Sequence, residues 1–379
     1  MDYVAAGAPQ STHANRILST RELNRTLLSR QLLLRRAEMP VLDALEHLAG
    51  MQAQNPYPPY YGLWSRLTDF QPEHLAERLL DRSAVRIVLM RGTIHLVTAQ
   101  DCLRMRPLTQ PVLERWLQGS VLKQLEGVDL DELESAGRAL VEEKPRTFSE
   151  LGIRLGERWP GYSADALTGV IRCRLPLVQI PPRGIWGEGG LAVHTTAESW
   201  IGEPLAEDAS LPSLIMQYLT AFGPASVKDV QVWSGLTRIQ AAIEQLRPYL
   251  RTYRDEAGQE LFDVLEAELP DPDTPAPVRF LGEFDNMLLA YHDRSRIMNA
   301  SIKPRVFTKN GIIRAAVLVD GFVRGIWSIE ERKGTATLTV ELFGPISDTE
   351  KQDMEEEGWR LLQFAAPDAA HHDIQLYLP

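Results

Sequence analysis

The chain has 379 residues, of which 44% are hydrophobic and 24% are charged. This composition is typical of globular proteins, so it excludes a disordered or fibrous chain, and the length allows two to three domains. The formal net charge of −11 argues against a uniformly basic nucleic-acid coat protein, although it leaves local basic patches open.

Cysteine usage and hydropathy indicate the compartment. The two cysteines, Cys102 and Cys173, have no Cys-x-x-Cys spacing, so we expect no disulfide framework, zinc finger or cysteine-ligated iron–sulfur cluster. No apolar run approaches the ~20 residues that a membrane-spanning helix needs. Residues 1–14 lack the pattern of a signal peptide. We therefore expect a cytoplasmic protein in which residues 1–15 form a flexible arm.

The first predicted unit, residues 16–120, consists of helices followed by a β-hairpin. Leucines at helical spacing predict its first helices, and the second of these ends near Gln52 because several prolines follow. Another helix covers about Pro72 to Leu80. Two short strands within 86–98 meet at Arg91-Gly92, which is a hairpin signal. Helices followed by a hairpin form the outline of a winged helix.

The same outline recurs twice. Residues 121–205 carry a capping box at 147–150, a helix at 163–173, and a strand with a following wing at 177–186. Residues 206–270 carry a helix at 211–221, a capping box at 226–229, a recognition helix at 236–246 and a two-stranded wing at 250–264. Three units of one outline indicate a tandem array, although the repeat rests on pattern and not on matching letters.

The remaining residues, 271–379, form the last predicted domain. A proline-rich linker at 271–277 precedes three antiparallel strands at 312–319, 322–330 and 335–342, and a helix follows at 348–364. Its acidic run at 355–357 is interpreted as a solvated face. The predicted fold class is α+β: three tandem winged-helix units followed by a C-terminal antiparallel β domain.

Common enzyme motifs for nucleotides, zinc proteases and serine hydrolases are absent from the sequence. The His371-His372-Asp373 tripeptide is interpreted as a solvated tail in preference to a metal site. His95, which alternates within the first hairpin, is interpreted as a structural or phosphate-contacting residue in preference to a catalytic base. Both cysteines are expected to be small buried hydrophobes.

The segment QAQNPYPPYY at 52–61 is the most unusual local feature. On a helix the side chains of Gln52 and Gln54 would point about 200° apart, whereas in extended chain they would point to the same side. The prolines downstream favour a non-helical geometry, in which both amides face one pocket with tyrosines nearby. The alternative is a capped helix end followed by a surface loop.

Three blocks carry a family resemblance: GMQAQNPYPPYYGLWSRL at 50–67, RGTIHLVTAQD at 91–101 and LGEFDNMLLAYHDRSRI at 281–297. Together they resemble the bacterial winged-helix family of DNA glycosylases, over roughly residues 16–364. The resemblance implies three tandem winged helices around a basic DNA channel. It also implies cleavage of the N-glycosidic bond of N7-alkylated guanine. Nothing in the sequence indicates a cofactor or a metal.

The family motif, Gln-x-Gln or Gln-x-Asp, maps onto Gln52-Ala53-Gln54, which implies that Gln52 and Gln54 are catalytic. The Gln-x-Gln version looks like the branch associated with azinomycin resistance, which unhooks interstrand crosslinks. Gln54 cannot accept a proton as an aspartate could. Ala53 is smaller than the usual middle residue. A neutral amide pair nevertheless suits a cationic base, because that base leaves without prior protonation.

Basic residues of the first two predicted wings and of the third block are the predicted DNA contacts. They are Arg91, Arg183, His292, Arg294 and Arg296. The expected partner is double-stranded DNA with an alkylated or crosslinked guanine, bound by a monomer. Two other functions fit tandem winged helices: a non-catalytic transcription regulator, which has no need of the glutamine pair, and a protein-interaction module, which would not bind DNA.

Overall fold

The computed structural model describes residues 16–378, so the predicted arm at 1–15 lies outside the described residues. The helices are α1 (Thr20–Arg30), α2 (Val41–His47), α3 (Pro58–Arg66), α4 (Pro72–Leu80), α5 (Ala99–Ser120), α6 (Leu130–Glu143), α7 (Phe148–Arg158), α8 (Ala164–Arg174), α9 (Ala197–Ile201), α10 (Leu211–Phe222), α11 (Val227–Ser234), α12 (Gln240–Leu246), α13 (Asn286–Leu289), α14 (Lys303–Val306) and α15 (Asp348–Ala365).

The strands are β1 (Ile17–Leu18), β2 (Met51–Gln52), β3 (Ala84–Val88), β4 (Ile94–Thr98), β5 (Leu177–Gln179), β6 (His194–Thr196), β7 (Leu250–Asp255), β8 (Glu260–Val264), β9 (Arg279–Leu281), β10 (Ala316–Val319), β11 (Phe322–Arg332), β12 (Thr335–Leu342) and β13 (His371–Tyr377). They form three sheets, with the orders β1-β7-β8, β2-β4-β3-β5-β6 and β13-β12-β11-β10-β9. Helices and sheets in one chain confirm the α+β class.

The first and second predicted hairpins share one sheet. Strand β3 pairs antiparallel with β4 on one side and with β5 on the other, so that Ile87 lies between His95 and Val178. The sequence patterns predict separate wings, but the pairing joins them. Because an isolated hairpin leaves unpaired backbone groups along both edges, this pairing satisfies one edge of each.

The N-terminal elements lie with the third predicted unit instead of the first. Strand β1 pairs parallel with β7, which places Ile17 opposite Arg254. Helix α1 is tied to the same region by a buried ion pair of 2.6 Å between Arg30 Nη1 and Asp263 Oδ1. Strand β1 and helix α1, predicted as part of the first unit, therefore pack with β7 and β8, which lie more than 200 residues away along the chain.

Helix α2 ends at His47, earlier than predicted, and strand β2 follows after a short turn. Ala49 and Gly50 adopt positive φ angles of 54° and 79°. A Cβ atom on Gly50 would lie 2.5 Å from Val97 Cγ1, so this turn requires a glycine. The turn places Gln52 on a strand and not at the end of a helix.

The C-terminal sheet contains the predicted strands, and β10 is shorter than predicted. It is antiparallel from β9 to β12, but β12 and β13 run parallel, connected by α15. Residues 371–373 are therefore part of an edge strand, and their interpretation as a solvated tail is wrong. The domain does not end in its helix.

Two hydrophobic clusters hold the motif region in place. Helices α2, α3 and α4 pack against the C-terminal sheet and α15, with Tyr60, Leu63 and Phe280 fully buried. A second cluster joins α1, α10 and α11 to the sheet that contains β3 and β4. A buried ion pair between Arg66 and Asp285, at 2.8 Å, fixes α3 against the start of α13.

Candidate active site

The Gln52-Ala53-Gln54 motif lies beside the first hairpin, with Gln52 in strand β2 and Gln54 at the bend that follows. Strand β2 pairs antiparallel with β4, so Gln52 lies opposite His95. The backbone N–H of Ala53 donates to Ile94 O at 2.7 Å, and the backbone N–H of Ile94 donates to Gln54 Oε1 at 3.2 Å. The non-helical geometry favoured by the prolines is therefore the observed one.

The two glutamines differ in exposure. The side chain of Gln52 is buried, with 7% of the residue exposed, whereas Gln54 is exposed. Arg91 Nη2 donates to Gln52 Oε1 at 2.9 Å. Because the partner of each carboxamide oxygen is a donor, the orientation of both amides is determined. Each oxygen retains a second lone pair, which can accept a hydrogen bond from water.

Arg91 lies at the tip of the hairpin in the left-handed region, with a φ of 57°. Its guanidinium donates to Gln52, to the carbonyl oxygen of Trp233 at the end of α11, and to His95 Nε2 at 3.3 Å. Burial, together with the charge of Arg294, lowers the pKa of Arg91 to about 10. The first hairpin is thus docked against α11 and is not a free wing.

His95 is a neutral structural residue in this arrangement. It is 1% exposed, and its Nδ1 lies 2.9 Å from the carbonyl oxygen of Thr93. Nδ1 therefore carries the proton, and Nε2 accepts from Arg91. Burial and the charge of Arg91 lower the pKa of His95 to about 3. This geometry favours the predicted structural role over that of a base.

Arg86 was missed by the sequence interpretation, although an arginine inside the apolar strand AVRIV is a signal of a buried, partnered charge. It is 2% exposed, and its Nη2 donates to the carbonyl oxygen of Ala53 at 2.9 Å. Nη1 donates to Arg183 O at 3.4 Å. Burial and the neighbouring charge of Arg183 lower the pKa of Arg86 to about 10. Arg86 thus links the motif to the loop after β5.

The loop after β5 is bound to α3. The Tyr60 hydroxyl donates to Gly184 O at 2.7 Å and accepts from the backbone N–H of Trp186 at 3.1 Å. Arg183, the predicted contact in this loop, is half-buried, and its Nη1 donates to Gly190 O at 3.0 Å. The motif and the second predicted wing therefore share one wall of the molecule.

The third block places its basic residues differently. His292 is exposed, and its backbone N–H donates to Asp229 Oδ1 at 2.8 Å. Arg294 is half-buried, and its Nε donates to the carbonyl oxygen of Leu288 at 2.7 Å. Its positive charge contributes to the lowered pKa of Arg91. Both residues therefore lie on the side of α11 and the hairpin tip.

Arg296 requires a correction. It is 6% exposed, its Nη1 donates to Pro224 O at 2.8 Å, and its guanidinium lies 4.1 Å from the centre of the Tyr291 ring. A guanidinium that is buried on an aromatic ring and bonded to backbone presents no free face to a phosphate. Arg296 is a structural residue.

The cysteines are buried and free, which confirms their expected character. Burial raises the pKa of Cys102 to about 12 and that of Cys173 to about 11. Within the described part of the chain, no three histidine, cysteine, aspartate or glutamate side chains are grouped so that they could hold a metal ion. Among residues 16–378, no helix has the length and apolarity to cross a membrane.

Comparison with known proteins identifies the family. The model of the DNA glycosylase AlkZ-like family matches residues 45–364. The chain belongs to this family. An interstrand DNA cross-link repair glycosylase from Streptomyces sahachiroi is 25% identical over 362 residues, which cover 86% of this chain and 90% of that relative. The AlkZ-like match confirms the resemblance carried by the three sequence blocks.

A solved structure extends the match to the fold. The Streptomyces sahachiroi DNA glycosylase AlkZ superimposes with a TM-score of 0.79 at 22% identity, over 95% of this chain and 100% of that chain. Membership of the AlkZ-like family makes the chain a DNA glycosylase with DNA as its substrate. Family membership therefore favours an enzyme over the two alternatives, a transcription regulator and a protein-interaction module.

Proposed function

We propose that this AlkZ-like glycosylase hydrolyses the N-glycosidic bond of N7-alkylated guanine in double-stranded DNA, including guanines held in interstrand crosslinks. The observation that carries the proposal is that two carboxamides, those of Gln52 and Gln54, are each held by a hydrogen bond from the same hairpin. The relative from Streptomyces sahachiroi is itself named an interstrand cross-link repair glycosylase.

The chemistry of the leaving group explains why two neutral amides suffice. Alkylation at N7 gives guanine a positive charge, so the base leaves as a neutral molecule and needs no acid. The sugar develops oxocarbenium character, as in other glycoside hydrolyses. The remaining tasks are to place a water molecule and to stabilise positive charge at C1′.

The two glutamines are suited to these tasks. The free lone pairs of Gln52 Oε1 and Gln54 Oε1 accept hydrogen bonds from the attacking water and direct negative dipole ends at the sugar. The water oxygen bonds to C1′ as the C1′–N9 bond breaks. The electron pair of the C1′–N9 bond stays on the base and neutralises its positive charge. The proton released from water passes to solvent, since an amide cannot accept it. Fixed dipoles of this kind contribute about 10²–10³-fold each.

The DNA would lie across the hairpin tip and the loop after β5. We assign the three sets of helices and hairpins to winged helices, which contact DNA through a recognition helix and a wing. Arg91, Arg183, His292 and Arg294 are the proposed contacts. With a net charge of −11, exposed acidic residues must face away from this side, as Glu356 on α15 would. The prediction of a solvated face at 355–357 is wrong for Glu357, which is buried and pairs with Arg36 and Arg279. We also propose that the enzyme acts as a monomer on chromosomal DNA in the cytoplasm.

A base-release assay tests the proposal. Duplex DNA with one N7-methylguanine is incubated with excess protein, once without and once with a chelator, and spontaneous release is subtracted. We expect release by the wild type, and a loss of about 100-fold or more in Gln52→Ala and in Gln54→Ala.

The matched control is Gln352→Ala, since Gln352 is an exposed glutamine on the acidic helix α15. It should release the base at the wild-type rate. Full activity in both motif variants, or no release by the wild type, would refute the proposed function. Loss of activity in chelator would refute the metal-free mechanism.

A further inference from the structure

An open cleft of about 470 Å³ begins one residue after the Gln52-Ala53-Gln54 motif. Its size lies within the roughly 300–1,000 Å³ that is usual for small-molecule sites. Four aromatic side chains line it: Tyr57, Tyr61, Trp186 and Trp327. The motif and the cleft are therefore continuous along the chain.

The aromatic lining is held in a fixed arrangement. Trp186 meets Tyr57 and Tyr61 edge to face, with ring centres 5.8 Å and 5.5 Å apart, and Tyr61 meets Trp327 in the same way at 5.4 Å. The Trp327 indole N–H donates to Leu281 O at 2.9 Å. Interlocked rings of this kind keep their orientation when a ligand enters, so little ordering entropy is lost.

The rim of the cleft is negatively charged. Glu283 is half-buried, and Asn55 Nδ2 donates to its carboxylate at 3.3 Å. Within residues 16–378 this carboxylate has no ion-pair partner. A half-buried carboxylate beside aromatic rings attracts a cation, through its charge and through the ring faces. The cleft thus complements a flat, apolar group attached to a cationic base.

We infer that this cleft receives the flat aromatic substituent carried on N7 of an alkylated guanine, an assignment that rests on the proposed function. The catalytic pair acts at the bond to N9, and N7 lies on the same five-membered ring, facing the major groove. A substituent on N7 therefore projects away from the bond that breaks. A site that adjoins the motif, and is larger than a purine base, is the place to receive it.

The test uses one duplex with either of two adducts. One carries N7-methylguanine, and the other carries the N7-guanine adduct of aflatoxin B1, whose substituent is flat and polycyclic. Ser328 is an exposed residue of the cleft wall, so Ser328→Trp fills the cleft without removing a buried contact. We expect it to slow release of the aflatoxin adduct at least tenfold, and to leave release of N7-methylguanine within twofold of the wild type.

Two control variants separate filling from other effects. Ser328→Ala removes the hydroxyl without adding bulk, and Glu331→Trp adds the same bulk to an exposed position of β11 outside the cleft. Both should release the two adducts at wild-type rates, and thermal unfolding should show that all three variants are folded.

The outcomes distinguish the two proposals. Unchanged release of both adducts by Ser328→Trp would overturn the assignment of the cleft while the proposed function stands. An equal loss on both adducts would assign the cleft to the base itself, which also overturns it. Release of neither adduct by the wild type would refute the proposed function, and the assignment with it.

Discussion

Arg91 Nη2 lies 2.9 Å from Gln52 Oε1, so the guanidinium of this half-buried residue fixes the carboxamide of the predicted catalytic residue. The same guanidinium reaches the end of α11 through Trp233 O. The orientation of Gln52 therefore depends on packing between the first hairpin and the third predicted unit, far away in sequence.

This relationship predicts that Arg91→Met slows release of N7-methylguanine by about 10- to 100-fold, the cost of a hydrogen bond to a charged group at roughly 1.5–3 kcal/mol. The measurement is the single-turnover rate at saturating protein. The double variant with Gln52→Ala and Arg91→Met should be no slower than Gln52→Ala alone. Both changes remove the same oriented carboxamide, so their effects do not add.

The matched control is Arg82→Met. Arg82 also has a positive φ, of 69°, and its guanidinium lies over the Trp200 ring away from the motif. It should leave the rate unchanged. Fully additive losses for Arg91 and Gln52 would show that the two side chains act separately.

The low pKa of His95 predicts a loss of stability on acidification. His95 titrates near pH 3 when folded and near pH 6.5 when unfolded, so between these values the unfolded chain binds the extra proton. Stability is fully present above pH 6.5 and falls as the pH drops towards 3. At pH 5, protonation of His95 in the unfolded chain has lowered the free energy of unfolding by about 2 kcal/mol.

Thermal unfolding between pH 7.5 and 4.5 measures this effect. His95→Gln should flatten the decline of Tm, and His194, whose pKa burial lowers to about 4, accounts for a further part. The exposed His371 supplies the control, since His371→Gln should keep the wild-type slope. An unchanged slope in His95→Gln would mean that His95 is protonated in the folded protein.

Local patterns predicted much of the fold correctly. Helix α4 has the predicted bounds, Pro72–Leu80, because a proline suits the first turn and Leu75 and Leu79 fall on one buried face. Strands β11 and β12 follow from partial period-2 alternation between turn residues, and the first hairpin follows from two short apolar strands that meet at Arg91-Gly92. In each case the signal and the structure lie within about a dozen residues.

Long-range pairings could not be predicted in this way. The pairing of β3 with β5, the transfer of β1 to β7 and the contact of Arg91 with Trp233 join segments about 90 to 240 residues apart. The spacing of apolar residues within a strand does not indicate which distant strand pairs with its edge. The motif was recognised in sequence, but the hydrogen bonds that orient it, from Arg91 to Gln52 and from Arg86 to Ala53, were not predicted, because their partners lie elsewhere in the chain.

The neighbouring arginines Arg294 and Arg296 should respond in opposite ways to substitution. Arg294→Gln should weaken DNA binding and flatten the slope of log affinity against log salt by about one, since a phosphate contact releases a counterion. Arg296→Gln should keep that slope and lower the free energy of unfolding by about 1–3 kcal/mol, because it unpairs a buried carbonyl.

Fluorescence anisotropy across a salt series, with urea unfolding of the same preparations, separates the two effects. The pair is its own control, since both changes remove one positive charge from one segment. A flattened slope in Arg296→Gln would show that this guanidinium leaves the Tyr291 ring to contact DNA.

Gln54→Asp tests whether the second amide serves as an acceptor that cannot take a proton. Aspartate is one methylene shorter, so it weakens the 3.2 Å bond from Ile94 N–H, and its carboxylate can remove a proton from water. We expect release of N7-methylguanine to be retained, and release to extend to a neutral, less labile adduct such as 1,N6-ethenoadenine.

The pH profile supplies the decisive readout for this variant. Since the carboxylate must be ionised, the rate of Gln54→Asp should fall on the acid side near the ordinary aspartate pKa of about 4, whereas the wild-type rate should show no such limb from Gln54. Gln54→Asn shortens the side chain without adding a charge, and it should lose activity. Equal rates for Gln54→Asp and Gln54→Asn at every pH would show that position 54 holds the hairpin and takes no part in activating water.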